Sequence, residues 1–405
     1  MKRPGTVLVT DADRGSALSM VRSLGRRGWK VIAAGESRAS IGFRSKYASD
    51  RLVYPSPSRD STAFVDALLE AAAARPIDLI VPVTDAAMLP LHEKRDRFTG
   101  RCHLALPDDA DAFRAVTDKS RTMELAAVLG VPVPRSVLAR STDEIRAAAS
   151  EFGWPVVLKP LSSRVLQDGG SVDSFEVQYA GSADDLEQTL ASQDGHGGVL
   201  VQEYCDGIGR GVGLLLHEGR PLAAFQHRRV HEVPITGGAS SLRESEPLDS
   251  TLYDYSLRIL GKLRWTGLAL VEFKVTSDGP RLMEVNGRVW GSLPLAVMSG
   301  VDFPGMLVDM ILHGPPPEGA PARVDYRAGV RARNLSLDIT WFLSVLGRRR
   351  RYPYLSSPSR AEGILDLAGL INPRCRLDVQ SLSDPMPGLV ELPQILRRIW
   401  RKIRR

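Results

Sequence analysis

Apolar and polar positions along the first hundred residues switch between two periods. Short apolar runs at Thr6–Val9, Lys30–Ala34 and Leu79–Val83 read as strands, with another near Cys102–Ala105. Helical stretches at Ser16–Arg27 and Phe64–Ala74 separate them. Alternation of this kind predicts βαβ units and a parallel, doubly wound sheet, an α/β fold. The loop after the first strand reads Thr10-Asp11-Ala12-Asp13-Arg14-Gly15. It lacks the Gly-x-Gly-x-x-Gly fingerprint of dinucleotide binders. Thr84-Asp85-Ala86 follows a strand end, where open sheets place ligands, and is a candidate substrate contact.

The pattern changes at Asp118. Lys119–Leu129 reads as a helix stopped by Gly130, and Thr142–Phe152 as a second helix capped by Ser141 or Thr142. Trp154–Pro160 is a strand carrying Lys159, Ser162–Val172 a polar, glycine-containing loop, and Phe175–Tyr179 a strand. Asp184–Leu190 is helical and Val199–Tyr204 extended. Antiparallel strands follow at Gly211–His217, Leu222–His231 and Leu268–Val275. Pro234–Ser241, rich in glycine and hydroxyls, reads either as an ordinary glycine turn or as a segment that lets a ligand approach closely, and Arg243 with Glu244 as an ion pair. Pro315–Pro321 looks like a linker. Beyond it come a strand at Gly329–Arg333 and an apolar helix at Asn334–Leu346.

Composition narrows the class. A chain of 405 residues suits two or three packed units, and 43% hydrophobic with 25% charged residues excludes a disordered or fibrous protein. No apolar run is long enough to span a membrane, and the first 30 residues do not read as a signal peptide. Cys102, Cys205 and Cys375 lie far apart with no ligand-spaced partner, so reduced, mostly buried thiols of a cytosolic protein are expected. The net charge of +6 equals the six basic groups of the last nine residues, leaving the rest neutral and giving no basic face for nucleic acid. Leu392, Ile395, Leu396, Ile399, Trp400 and Ile403 recur at helical spacing opposite those basic residues. A basic amphipathic helix over 390–405 follows, suited to peripheral contact with an anionic membrane or to docking on the protein itself. The Arg348–Arg351 run adds charge to that region.

The most informative stretch is Val271–Arg288. Val271-Glu272-Phe273-Lys274-Val275 and Leu282-Met283-Glu284-Val285-Asn286 both alternate apolar and polar positions, and Ser277-Asp278-Gly279-Pro280 between them has turn chemistry. A hairpin centred near Asp278 sets Glu272 opposite Glu284, with Asn286 and Arg288 on the same face. Facing carboxylates destabilise a sheet unless a cation compensates them. Two carboxylates and an amide oxygen suit Mg²⁺. A solvated hairpin, its glutamates paired with Lys274 and Arg288, is the alternative.

Val271-Glu272-Phe273, followed by Glu284-Val285-Asn286-Gly287-Arg288, resembles the metal-binding motif of the ATP-grasp superfamily. Asp118-Lys119, Val157-Leu158-Lys159-Pro160, Ser162–Val172 and Val201-Gln202-Glu203-Tyr204 stand in that superfamily's order. The resemblance covers about residues 6–335 and is nearest the branch of carbamoyl-phosphate synthetase large subunits and biotin carboxylase. It implies a Rossmann-like pre-ATP-grasp domain over 1–112 and an ATP-grasp domain over 113–335, with its lid over about 154–201. A helical C-terminal extension over 336–405 completes the chain.

The same resemblance implies ATP and Mg²⁺, two ions being expected and Mn²⁺ an acceptable replacement. Lys119 and Lys159 would hold the α- and β-phosphates, and Ser163, Gly169 and Gly170 would belong to the phosphate-covering loop. Glu203, Tyr204, Cys205 and Asp206 would form the adenine hinge. Glu272, Glu284 and Asn286 would hold the metal, and Arg288 and Arg229 would face the transferred phosphoryl group or the substrate carboxylate. The implied activity is ADP-forming ligation of a small or peptide-like carboxylate to an amine through an acyl-phosphate. The alternatives are a bicarbonate-activating enzyme and a non-catalytic nucleotide-binding regulator at the membrane. A cytoplasmic protein is implied, with peripheral contact at the inner membrane face through 390–405 and a homodimer as further options.

Overall fold

The computed structural model describes residues 5–160, 164–166, 172–174, 177–191, 198–235, 237–347, 358–369 and 375–403. The first unit is a parallel sheet of β1 (Thr6–Val9), β2 (Lys30–Gly35), β3 (Asp50–Val53), β4 (Leu79–Val81) and β5 (His103–Leu104), ordered β3-β2-β1-β4-β5. The first strand is buried along its whole length, as expected of a strand covered on both faces by crossover helices. The edge strand β3 was not anticipated. Its Asp-Arg-Leu-Val sequence is largely exposed and carries no apolar run.

A second, antiparallel sheet consists of β6 (Ser136–Ala139), β7 (Val156–Pro160), β10 (Gln178–Ala180) and β11 (Val199–Glu203), ordered β10-β7-β11-β6. Between its strands, β8 (Arg164–Leu166) pairs with β9 (Val172–Ser174). The expected loop at 162–172 therefore contains a strand, built on the β-favouring Val165. Ser163, Gly169 and Gly170 lie outside the described residues.

The largest sheet has the order β16-β15-β12-β13-β14-β17-β18. Its members are β12 (Ile208–His217), β13 (Arg220–Val233), β14 (Ala239–Glu246), β15 (Gly267–Thr276), β16 (Gly279–Asn286), β17 (Arg331–Arg333) and β18 (Cys375–Leu377). All pairs are antiparallel except β17 with β18. The ion pair expected between Arg243 and Glu244 does not form. Both residues lie on β14, where neighbours point to opposite faces. Arg243 is buried against Asp378, while Glu244 meets Arg228 and Arg331.

The C-terminal segment closes back on both larger sheets. Helix Leu335–Leu346 is capped by Asn334, and its Asp338 accepts from Ser241 and contacts His231, whose other ring nitrogen contacts Asp366. Asp384 binds Arg22, Ser45 and the Lys46 N–H on the first unit. The last helix spans Met386–Ile403, starting four residues before the expected position. Of its expected apolar stripe, Ile395 is buried while Leu392, Leu396 and Trp400 are exposed. Among the described residues no single helix is long and apolar enough to cross a membrane. The three cysteines are free and half-buried, more open than expected.

Candidate active site

Glu272 pairs directly with Glu284 in the β15–β16 ladder. The turn itself is tighter than the expected one: Thr276 pairs with Gly279, so only Ser277 and Asp278 form the loop. A bulge at Met283 absorbs the odd residue and restores the register at the glutamates. The Asn286 amide nitrogen lies between the carboxylates, 3.4 Å from Glu272 Oε1 and 3.1 Å from Glu284 Oε1. Its Oδ1 accepts from Arg288 Nη2 at 3.0 Å.

The two acids differ in surroundings. Glu272 is buried and bonded to Arg229. Burial raises its pKa and the nearby Glu284 charge adds to this, with Arg229 opposing. Glu284 is 34% exposed and has Lys119 Nζ at 4.0 Å. Desolvation alone would raise its pKa. Lys119, the Asn286 hydrogen bond, Lys159 and Arg229 outweigh that and lower it.

Local structure aims each cation. Asp118 caps helix Lys119–Val128 by accepting from the Ser120 and Arg121 N–H groups, which places Lys119 at the first helical position with its side chain buried. Lys159 sits on β7, where burial pulls its pKa down to about 8 against the pull of Glu284. Arg229, on β13, also bonds Glu232 at 3.1 Å and the Gly238 carbonyl at 2.9 Å. Arg288 donates through Nε to Asp85 at 2.7 Å. Asp85 opens helix Asp85–Glu93, capped by Thr84, and Thr84 is bonded in turn to Asp11. The loop singled out after β4 therefore orients an arginine of the hairpin.

Lys119, Lys159, Arg229, Glu272, Glu284, Asn286 and Arg288 all line one cleft of about 480 Å³. Glu203 to Asp206 do not line it in this conformation. The Glu203 carboxylate bonds the Arg135 backbone at 2.9 Å and its guanidinium at 2.7 Å. Tyr204 stands edge-on to Tyr179, and burial raises the pKa of both Tyr204, to about 12, and Cys205.

Sequence reasoning missed three features of this cleft. Glu232 bridges Arg229 and Lys274, and the latter distance is 3.3 Å. Gly209, Gly211 and Gly213 alternate along β12. A Cβ on Gly209 would stand 2.9 Å from Arg229, one on Gly211 2.6 Å from His227, and one on Gly213 2.5 Å from Trp290. The period-two glycines were legible and mark a strand whose inner face stays at backbone level. Arg243 and His227 also line the cleft, and nothing in their local sequence announces it.

Among the described residues, no three His, Cys, Asp or Glu side chains gather where they could hold an ion. Two carboxylates and an amide nevertheless fit Mg²⁺ that takes its other oxygens from phosphate and water. Asn286 would have to turn its Oδ1 from Arg288 toward the carboxylates.

The three larger sheets and the cation-lined cleft with its facing acids define an α/β protein with a highly charged cavity. A family model described as "ATP-grasp in the biosynthetic pathway with Ter operon" matches residues 197–336. The carbamoyl phosphate synthase large chain of Thermomicrobium roseum is 28% identical over 218 residues, 51% of this chain and 19% of that one. This chain thus spans about a fifth of that relative's length. Among solved structures, N5-carboxyaminoimidazole synthetase from Staphylococcus aureus superposes with a TM-score of 0.63 at 13% identity, covering 86% of each chain. The biotin carboxylase domain of Hydrogenobacter thermophilus 2-oxoglutarate carboxylase, in complex with MgADP and bicarbonate, has a TM-score of 0.61 at 16% identity, covering 80% of this chain and 73% of that one. Over residues 197–336 the chain is similar in sequence to ATP-grasp proteins, and over most of its length it is similar to them in fold.

Proposed function

We propose that this protein is an ADP-forming ligase that joins a carboxylate to an amine in the cytoplasm. The observation that carries the reading is the facing pair Glu272 and Glu284, with Asn286, in a cleft shared with Lys119, Lys159, Arg229 and Arg288. Lys119 and Lys159 are suited to phosphate oxygens as compact charges. Mg²⁺ held by Glu272, Glu284 and the Asn286 oxygen would supply neutralisation of the triphosphate. A substrate carboxylate oxygen attacks the γ-phosphorus and the bond to ADP breaks, giving an acyl-phosphate. The amine then attacks the carbonyl carbon, loses a proton, and phosphate leaves. Arg288 and Arg229 would compensate charge on the transferred group and on the tetrahedral oxyanion. Positioning and charge complementarity suffice for this chemistry without a nucleophilic side chain.

The test is release of ADP and phosphate on adding pools of carboxylates and amines. Release that requires both pools supports ligation. Release stimulated by bicarbonate alone replaces it with carboxyphosphate formation, and no release with retained ATP binding leaves a regulator.

We also propose that the last helix docks on an anionic bilayer. Leu389, Leu392, Leu396 and Trp400 are 57%, 42%, 66% and 55% exposed, and Arg397, Arg398, Arg401 and Lys402 lie in the same helix. That combination of apolar stripe and cations suits a phosphatidylglycerol surface. Phosphatidylglycerol vesicles should pellet the wild type at least fivefold better than Leu396→Glu/Trp400→Glu. Equal pelleting contradicts docking, and a concentration-dependent dimer lost in the variant assigns the stripe to self-association.

A further inference from the structure

The cleft continues well past the facing glutamates. Arg243 pairs with Arg229 across β13 and β14, and so stands three strands from β15, roughly 14 Å from Glu272 at the usual strand spacing. Around it the wall changes character. Arg14, Gly15 and Ser16, the start of helix Gly15–Arg26, face the same cavity as Ser240 and Asn334. No side chain caps that helix, and its first turn carries no acid. Its exposed end therefore presents N–H groups and the positive pole of its dipole.

A second feature lies in the side chains. Arg243 is 1% exposed and lines the cavity. Its Nη2 is taken by both Asp378 oxygens at 2.8 Å and its Nη1 by the Ser240 and Ser241 carbonyls, but its Nε has no partner. Trp290 Nε1, lining the same cavity and equally buried, is also a donor without a partner. Orphaned buried donors are costly and mark a place where a ligand completes the hydrogen bonding. Asn334 uses its Oδ1 to cap the next helix, leaving Nδ2 3.9 Å from the position of a Cβ on Gly15; the nearest atom there, at 3.6 Å, is Cβ of Asp378, whose carboxylate is held by Arg243. Basic side chains outnumber acids on the cleft wall by seven to three, more than a triphosphate beside its own metal site explains.

We propose that this far end is an anion subsite, and that the substrate is an extended molecule with a second anionic group, carboxylate or phosphate. That group is held by the N-terminus of helix Gly15–Arg26 with Arg14, Ser16 and Arg243, while the reacting carboxylate lies by the metal end. The inference rests on the ligase reading for the second half of that statement only. Bicarbonate is too short to span the two ends.

The experiment is calorimetric titration of the full chain with inorganic phosphate and with succinate. The nucleotide half is first filled with Mg²⁺ and the nonhydrolysable analogue AMP-PNP, so that phosphate has no access to the γ position. Ser16→Asp puts a carboxylate where the anion would sit. Ser16 is buried, so thermal melting of the variant is measured alongside, and Arg14→Ala, at an exposed position, keeps the test independent of folding. Wild type should bind at least one probe, with Ser16→Asp and Arg14→Ala each at least tenfold weaker and AMP-PNP affinity within twofold. A preference for phosphate assigns a phosphorylated substrate, and a preference for succinate a dicarboxylic acid. Failure of both probes on wild type, or equal affinity in wild type and variants, overturns the subsite. Failure of AMP-PNP to bind overturns the ligase reading instead, and the same titrations on nucleotide-free protein then judge the subsite alone.

Discussion

Glu272 stands directly opposite Glu284 across the β15–β16 ladder, and the two carboxylates are compensated by different elements. Glu272 is matched by Arg229 from β13, and Glu284 by Lys119 from a helix start. Each acid is thus tied to a different wall of the cleft. Glu284 is the more exposed of the two, with Oε1 accepting from Asn286 and Oε2 4.0 Å from Lys119 Nζ.

Replacing Glu284 with Gln keeps the shape of the hairpin and removes one charge. ADP formation should fall by about 10²-fold or more, the scale of losing an electrostatic group that acts on the transferred charge. The melting temperature should stay within a few degrees. Coupled-enzyme assay of ADP release checks this, and wild-type turnover would remove Glu284 from the metal site.

Asp85 acts through Arg288, which it holds at 2.7 Å. Asp85→Ala should lower kcat by about tenfold, since small misplacements of a positioned group are costly. The KM for ATP should hold within about twofold. Asp85→Asn, which keeps an acceptor oxygen, should recover part of the loss. Steady-state kinetics on both variants separate positioning from a merely structural role, which would leave both parameters unchanged or lower the folded fraction alone.

Much of this cleft was readable from the chain. The alternation in Val271–Val275 and Leu282–Asn286 implied the hairpin and its paired glutamates, because a sheet's side-chain period is short and local. The bulge at Met283 was not readable, since it depends on how tightly two residues can turn. The Thr84–Ala86 loop was legible from its place after a strand, but not the pairing of Asp85 with Arg288. Glu232, His227 and Arg243 were the harder cases, each making contacts with residues tens to hundreds of positions away, such as Glu232 with Lys274 or Arg243 with Asp378. The edge strands β3 and β18 carry mixed short sequences that only a neighbouring strand makes extended.

Lys159 supplies a pH dependence with a definite sign. Burial lowers its pKa to about 8, Glu284 opposing, so it is cationic below that value and neutral above it in the nucleotide-free protein. Phosphate favours the cation, so binding above pH 8 must take up a proton. ATP affinity should weaken by up to about tenfold per pH unit there. Lys159→Arg, charged throughout, should flatten the profile. Equilibrium binding of a fluorescent ATP analogue between pH 6 and 9 checks it, and identical profiles would contradict the assignment.

The buried pair Arg243–Asp378 joins the cleft wall to the C-terminal segment, both side chains being 1% exposed. Asp378→Ala leaves the guanidinium buried without its counter-ion and should destabilise the fold by about 3–5 kcal/mol. Arg243→Met with Asp378→Leu should recover most of that loss, because two apolar groups need no partner. Urea unfolding of the single and double variants measures the difference.

The claim on which the rest depends is that the facing acids hold a divalent cation beside the nucleotide. Electron paramagnetic resonance of Mn²⁺, titrated into protein saturated with AMP-PNP, counts bound ions directly. The account predicts one or two ions per chain in the wild type and at least tenfold weaker Mn²⁺ binding in Glu284→Gln, with AMP-PNP still bound. Equal Mn²⁺ binding by both proteins would contradict it.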